Sequence, residues 1–209
     1  MFGHLDCPQP KNSPHVTRHR GLPSCGLQLS DSIDKSDARI IMEKTLRIVR
    51  SEDEIGKRIR ELAQEIRTGV QAVDLTVVGI LDDAFMFLSD LVRLLDRPVS
   101  CCFMKVSQHQ YGGQTEIMFT SEFDPRGRDI LLVGGVAATG ITLDYISRQL
   151  AERGIKSLRT CVLVDKPGER RVDLKPDFAA FESGDGFLFG YGLGIQNQFR
   201  QLPYLAVME

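Results

Sequence analysis

The residues able to do chemistry fall in four short stretches. Thr139-Gly140-Ile141-Thr142 sets two hydroxyls and a run of backbone N–H groups at the head of a segment with helical periodicity. Unpaired N–H groups, the helix dipole and hydroxyls together stabilise an anion, so this stretch reads as a phosphate cradle. Thr139 taken alone also reads as an ordinary helix cap. Asp82-Asp83-Ala84 carries two adjacent carboxylates, and Lys105 stands ahead of a polar stretch that holds Ser107 and Tyr111. Asp165-Lys166-Pro167 supplies a further cation, which by itself also fits a solvated turn. His15 and His19 have a spacing that zinc ligands allow, but Cys7 and Cys25 form no close cysteine pair, so these four read as solvated chain.

Alternating elements must position these stretches. Ser51-Glu52-Asp53-Glu54 is a capping box, and Ile55, Ile59, Leu62 and Ile66 follow at helical spacing. Apolar runs predict strands over 75–81, 99–106, 130–133 and 158–164, with shorter ones over 178–181 and 187–190. Helical patterns occupy 84–95, with Phe85, Leu88, Leu91, Val92 and Leu95 on or near one face, and 139–153, ending at Gly154. The polar, glycine-bearing stretch 107–127 is long for a loop and reads as a flap or weak hairpin. Strands alternating with helices predict an α/β fold with a mostly parallel sheet covered on both faces. Ligands of such folds sit beyond the C-terminal ends of the strands, where all four stretches fall.

Composition narrows the function class. A chain of 209 residues suits one packed domain, and 42% hydrophobic with 26% charged residues is a globular balance. A formal net charge of −2 and the lack of a basic stripe argue against nucleic acid. No apolar run reaches the roughly 20 residues of a membrane helix, and residues 1–29 have no apolar segment of a secretory signal. Cys101, Cys102 and Cys161 lie in apolar runs, where a reduced cysteine acts as a small hydrophobe, so a cytoplasmic setting is expected. Residues 1–44 differ in texture and read as a flexible extension before a single domain over 45–209, with Met42 a candidate start.

Collinear stretches carry a resemblance. They are VVGIL with AFMFLSDLVRLL, FMKVS with a following YGG, ILLV with TGITL, LVDKPGERRVDLKPDF, and FLFGYGL with FRQLPYLAV. From about Ile48 onward the sequence resembles the bacterial hypoxanthine(-guanine) phosphoribosyltransferases, of the type I phosphoribosyltransferase fold. The resemblance implies a parallel sheet flanked by helices, with a small hood from the chain ends over the purine. It implies a reaction of purine salvage that joins a 6-oxopurine to phosphoribosyl pyrophosphate (PRPP), with magnesium, and assembly into homo-oligomers.

Residue by residue, Thr139, Gly140 and Thr142 match the 5′-phosphate cradle of that family. Lys166 matches the lysine that bonds the purine 6-oxo group, Phe187 the aromatic that stacks on the ring, and Leu188 the residue presenting backbone groups beside it. Lys105, Ser107, Tyr111 and Arg200 fall on the pyrophosphate side. By pattern alone Phe187 also fits the core, and Arg200 also fits a pair with a surface carboxylate. The family motif V-E-D-x-x-D-T-G places carboxylates where this chain has Gly134 and Gly135, and a supposed catalytic base at Ala138. The pyrophosphate loop, usually L-K-G-[GA], reads Leu81-Asp82-Asp83-Ala84, and the aspartate of G-Y-G-L-D is Gly194. The expectation is a relative that is catalytically impaired yet binds a purine nucleotide or 6-oxopurine, as a regulator or as partner of an active relative. One alternative is an active enzyme whose magnesium is held by Asp82 and Asp83, and another is a structural interaction module.

Overall fold

Ser51 opens the first helix through the reciprocal bonds that its sequence promises. Its hydroxyl accepts from the Glu54 N–H at 3.4 Å, and the Glu54 carboxylate accepts from the Ser51 N–H at 2.8 Å. In the computed structural model, which describes residues 46–108, 115–120, 123–184 and 186–208, strand β1 (Leu46–Arg50) leads into this helix, α1 (Glu52–Gly69). There follow β2 (Leu75–Leu81), α2 (Phe85–Arg93), β3 (Val99–Gln108), β4 (Thr115–Phe119), β5 (Asp129–Ala137), α3 (Ile141–Glu152) and β6 (Ser157–Asp165). A short 3-10 turn, Pro167–Glu169, precedes β7 (Phe178–Glu182), β8 (Leu188–Phe189) and β9 (Leu205–Met208).

The main sheet runs β4-β3-β2-β5-β6-β7, parallel throughout except for the edge strand β4. Alternate side chains point to opposite faces, so each strand feeds two cores. Leu75, Val77, Leu131, Val133, Cys161 and Leu163 pack with α1 and α2 on one face. Val78, Ile130, Leu132 and Val162 pack with Leu143, Ile146 and Leu150 of α3 on the other. A second, antiparallel sheet of order β1-β9-β8 joins both ends of the described chain, in the place the resemblance gives to the hood.

Several boundaries differ from the sequence reading. β5 does not stop at Val133 but continues through Gly134 and Gly135 to Ala137, because β6 supplies a hydrogen-bonding partner along that length, with Gly134 opposite Val162. The third helix starts at Ile141, since Gly140 turns with φ 77°, a conformation outside the helix that glycine adopts freely. The strand expected over 187–190 is only the two residues of β8 and belongs to the smaller sheet. Cys101 is exposed and Cys102 half-buried, because β4 pairs with β3 only from Met104 onward and leaves the first half of β3 at an edge. The stretch 107–127 does form a hairpin, β3 with β4, although residues 109–114, Tyr111 among them, lie outside the described residues. The expected extension 1–44, with Cys7, His15, His19, Cys25 and Met42, also lies outside them. No helix among the described residues is long and apolar enough to cross a membrane.

Candidate functional site

The C-terminal ends of β2, β5 and β6 open into two adjoining cavities. One, of about 280 Å³, is lined by Leu81, Asp83, Gly134, Gly135, Val136 and Thr142 among others. Its neighbour, of about 240 Å³, is lined by Asp83, Val136, Ala138, Lys166, Glu169, Phe187, Leu188, Leu193 and Gly194. Asp83 and Val136 border both, so the two form one ligand-sized crevice at the switch point of the sheet.

The first cavity ends on the head of α3. The Thr139 hydroxyl accepts from the Ile141 N–H at a loose 3.4 Å, so it caps weakly, while Thr142 faces the cavity. The first N–H groups of a helix have no partner within it. Backbone bonds fix this head against β6: the Lys166 N–H donates to Ala137 O at 3.0 Å and the Arg171 N–H to Thr139 O at 3.0 Å. Arg170, which sequence reasoning missed, presses against the same turn. A Cβ on Gly140 would stand 2.8 Å from Arg170 Nη1. One guanidinium nitrogen pairs with Asp165, while Nη1 is buried without a hydrogen-bond partner. A buried unpaired donor beside a helix head is suited to an anion. The signal available in sequence was the Arg170-Arg171 pair just after a strand-end lysine.

In the second cavity the bland readings of two residues fail. Lys166 is only 6% exposed, so it is no solvated turn. Its ammonium donates to Glu169 at 2.8 Å and to Gly186 O at 2.9 Å, and of its three N–H donors one remains for a ligand. Phe187 is 64% exposed at the cavity mouth rather than in the core, a free aromatic face beside a lysine. Leu188 is buried, and its backbone pairs with Val207 in the smaller sheet. Tyr191 anchors the turn behind this cavity by donating its hydroxyl to Asp90 of α2, and burial first, then that bond, pushes its phenol well up.

Asp83, which lines both cavities, belongs to one of two neighbouring ion pairs. Lys105 Nζ lies 3.1 Å from Asp82, and Arg200 pairs with Asp83 while also donating to Gly192 O. Arg200 thus fits the surface-pair reading with Asp83 as its partner. The Leu81–Asp82 peptide leading into this loop is cis. A Cβ on Gly135 would meet Asp83 Cβ at 2.8 Å and Leu193 Cδ2 at 3.0 Å. A Cβ on Gly194 would meet the Arg200 guanidinium at 2.8 Å. Gly134 has ordinary room, with Val162 at 3.6 Å and Ile80 at 3.7 Å. Ser107 is a residue of β3, and Ala138, which lines the second cavity, contributes only a methyl group.

The donor set does not fit the magnesium ion that the family resemblance implies. Magnesium takes oxygen ligands, usually one or two carboxylates with water and phosphate. Asp82 and Asp83, the adjacent carboxylates that could serve, are each engaged by a cation.

Comparison with known proteins agrees with the fold. The phosphoribosyl transferase domain matches residues 49–196. The hypoxanthine-guanine phosphoribosyltransferase of Aquifex aeolicus is 39% identical over 174 residues, 81% of this chain and 98% of that protein. That of Bacillus subtilis is 35% identical, over 78% of this chain and 93% of its own. A crystal structure of the Bacillus anthracis hypoxanthine-guanine phosphoribosyltransferase (hpt-2) superimposes with a TM-score of 0.72 at 26% identity, covering 78% of this chain and 97% of the other. With its parallel sheet, small second sheet and strand-end crevice, the chain belongs to the hypoxanthine-guanine phosphoribosyltransferase family.

Proposed function

We propose that the chain binds a 6-oxopurine nucleoside monophosphate and that phosphoribosyl transfer on it is severely impaired. The 5′-phosphate rests at Thr139, Gly140 and Thr142 beside Arg170. The purine stacks on Phe187, with the free N–H of Lys166 donating to the 6-oxo group and the Leu188 backbone along its edge. The protein then serves purine salvage as a regulator, in a homo-oligomer or beside an active relative.

One observation carries the reading. The Asp83–Arg200 pair fills the side-chain space at Gly135 and Gly194, two positions where the family resemblance expects carboxylates. Transfer passes through an oxocarbenium-like state with a departing polyanion, which needs charge neutralisation and a group to manage the purine proton. Ala138 has no proton to move, and the nearby cations are already paired. Losses of groups that act together in one transition state reach many powers of ten.

Calorimetry on the full chain tests the binding half. Inosine monophosphate should bind with micromolar affinity, and adenosine monophosphate at least ~10-fold more weakly, because a 6-amino group offers Lys166 a donor instead of an acceptor. Equal affinity for the two nucleotides, or no binding of either, would refute the assignment.

A further inference from the structure

The crevice holds its anion-attracting parts on one side only. At the α3 head stand backbone N–H groups with no partner inside the helix, backed by the Arg170 guanidinium, whose buried Nη1 has no hydrogen-bond partner. On the Asp83 side of the crevice, Lys105 and Arg200 are each closed by a carboxylate, Asp82 at 3.1 Å and Asp83 in direct contact, and of these four Asp83 lines the cavities. Those carboxylates are not buried: the side chains of Asp82 and Asp83 are 46% and 55% exposed, and Asp83 borders both cavities. They also stand just ahead of Ala84, the N-cap of α2, where the helix dipole favours negative charge. A ligand with a single phosphate is served by the α3 head alone. One with a second phosphate group reaching the Asp83 side must displace two ion pairs, and meets like charge at contact distance until it does.

We propose that Asp82 and Asp83 are specificity-determining residues that exclude ligands bearing a second phosphate group, so that the crevice selects nucleoside monophosphates over pyrophosphate and PRPP. This rests on the nucleotide reading above and names the property that separates accepted from rejected ligands. The two aspartates act as built-in substitutes for a phosphate on Lys105 and Arg200.

The test is calorimetric titration of the full chain with inorganic pyrophosphate and with inosine monophosphate, each with and without magnesium. Wild type is compared with Asp82→Asn/Asp83→Asn and with Asp96→Asn. Asp96 lies ahead of β3, at the opposite end of the parallel strands, and controls for net charge. Pyrophosphate affinity should rise at least ~10-fold in the double variant and stay unchanged in Asp96→Asn, while inosine monophosphate affinity moves less than ~3-fold. Should the double variant not fold, Asp83→Ser gives the same comparison for one carboxylate. Equal pyrophosphate affinity in wild type and variant overturns the proposal. So does tighter pyrophosphate binding by wild type in magnesium, which would make the carboxylates metal ligands. If pyrophosphate affinity rises as stated while inosine monophosphate binds to none of the proteins, the exclusion of a second phosphate group by Asp82 and Asp83 stands and the nucleotide reading falls.

Discussion

Gly134 and Gly135 are neighbours in β5, yet a methyl group added to each should act in opposite directions. Neither backbone is left-handed, so the difference is one of space. At Gly134 an added Cβ meets only Val162 at 3.6 Å and Ile80 at 3.7 Å, which are ordinary contacts. Glycine inside a strand carries an entropic cost, so Gly134→Ala should stabilise by about 0.5–1 kcal/mol. At Gly135 the new Cβ stands 2.8 Å from Asp83 Cβ, an atom that cannot move without its backbone. Overpacking of this kind costs about 1–3 kcal/mol, which outweighs the same entropic gain. Gly135→Ala should therefore lower the melting temperature by a few degrees, at about 2–4 °C per kcal/mol for a chain of this size. Combining it with Asp83→Gly removes the opposing Cβ, and a coupling of about 1 kcal/mol should appear. Urea unfolding of wild type, the two single variants and the pair closes the cycle. Additive effects, or a Gly135→Ala protein as stable as Gly134→Ala, would show that Asp83 does not fill this space.

Three further outcomes follow from the described contacts. Phe187 is 64% exposed, so Phe187→Ala should change stability by less than about 0.5 kcal/mol, yet weaken inosine monophosphate binding by the about 1–3 kcal/mol of a base–aromatic stack; unchanged calorimetric affinity would remove it from the site. Lys166→Met keeps the apolar stem and deletes the donors, which should cost about 10-fold or more in affinity for inosine monophosphate and erase the preference over adenosine monophosphate; a preference that survives would place the 6-oxo group elsewhere. Asp177 accepts from the Thr160 N–H at 2.8 Å, the Thr160 hydroxyl at 2.9 Å and Arg159 at 2.7 Å. Burial by itself would raise its carboxyl, but the bonds from Arg159 and Thr160 outweigh it and hold the group below the ordinary value. A depressed carboxyl stabilises the fold above its unfolded value, near pH 4, and that share is lost as pH falls through the folded value. Asp177→Asn should thus flatten the loss of stability as pH falls below the ordinary carboxylate range in urea titrations, and an unaltered slope would count against these bonds.

What was legible in the sequence depended on whether a signal is local. The Ser51 capping box and the Ile55, Ile59, Leu62, Ile66 spacing gave α1, and the unbroken apolar run gave β2 from Leu75 to Leu81 as found. β1 and β9 were not read from periodicity, because each is short and depends on distant partners, β1 on β9 across most of the chain and β9 on β1 and β8. Gly134 and Gly135 looked like a turn because glycine carries no strand signal of its own; the neighbouring strand β6 keeps them extended. In the crevice, strand-end positions pointed to Lys166 and to the α3 head, and the fold sets Lys166 and Thr142 at the cavities. The pairing of Asp83 with Arg200 spans 117 positions, and nothing in local spacing encodes it. Glu169 and Arg170 were missed for a related reason, since a charged turn looks solvated until the fold buries its cations.

The most direct test of the account is turnover under single-turnover conditions. The full chain, in excess over hypoxanthine, is mixed with PRPP and magnesium, and inosine monophosphate is quantified over hours on a sample whose binding of that nucleotide has been verified by calorimetry. The account predicts bound nucleotide and no product above the uncatalysed background. Stoichiometric product formed within seconds would contradict it, and would mean that Asp82 and Asp83 take part in the reaction rather than closing the site to PRPP.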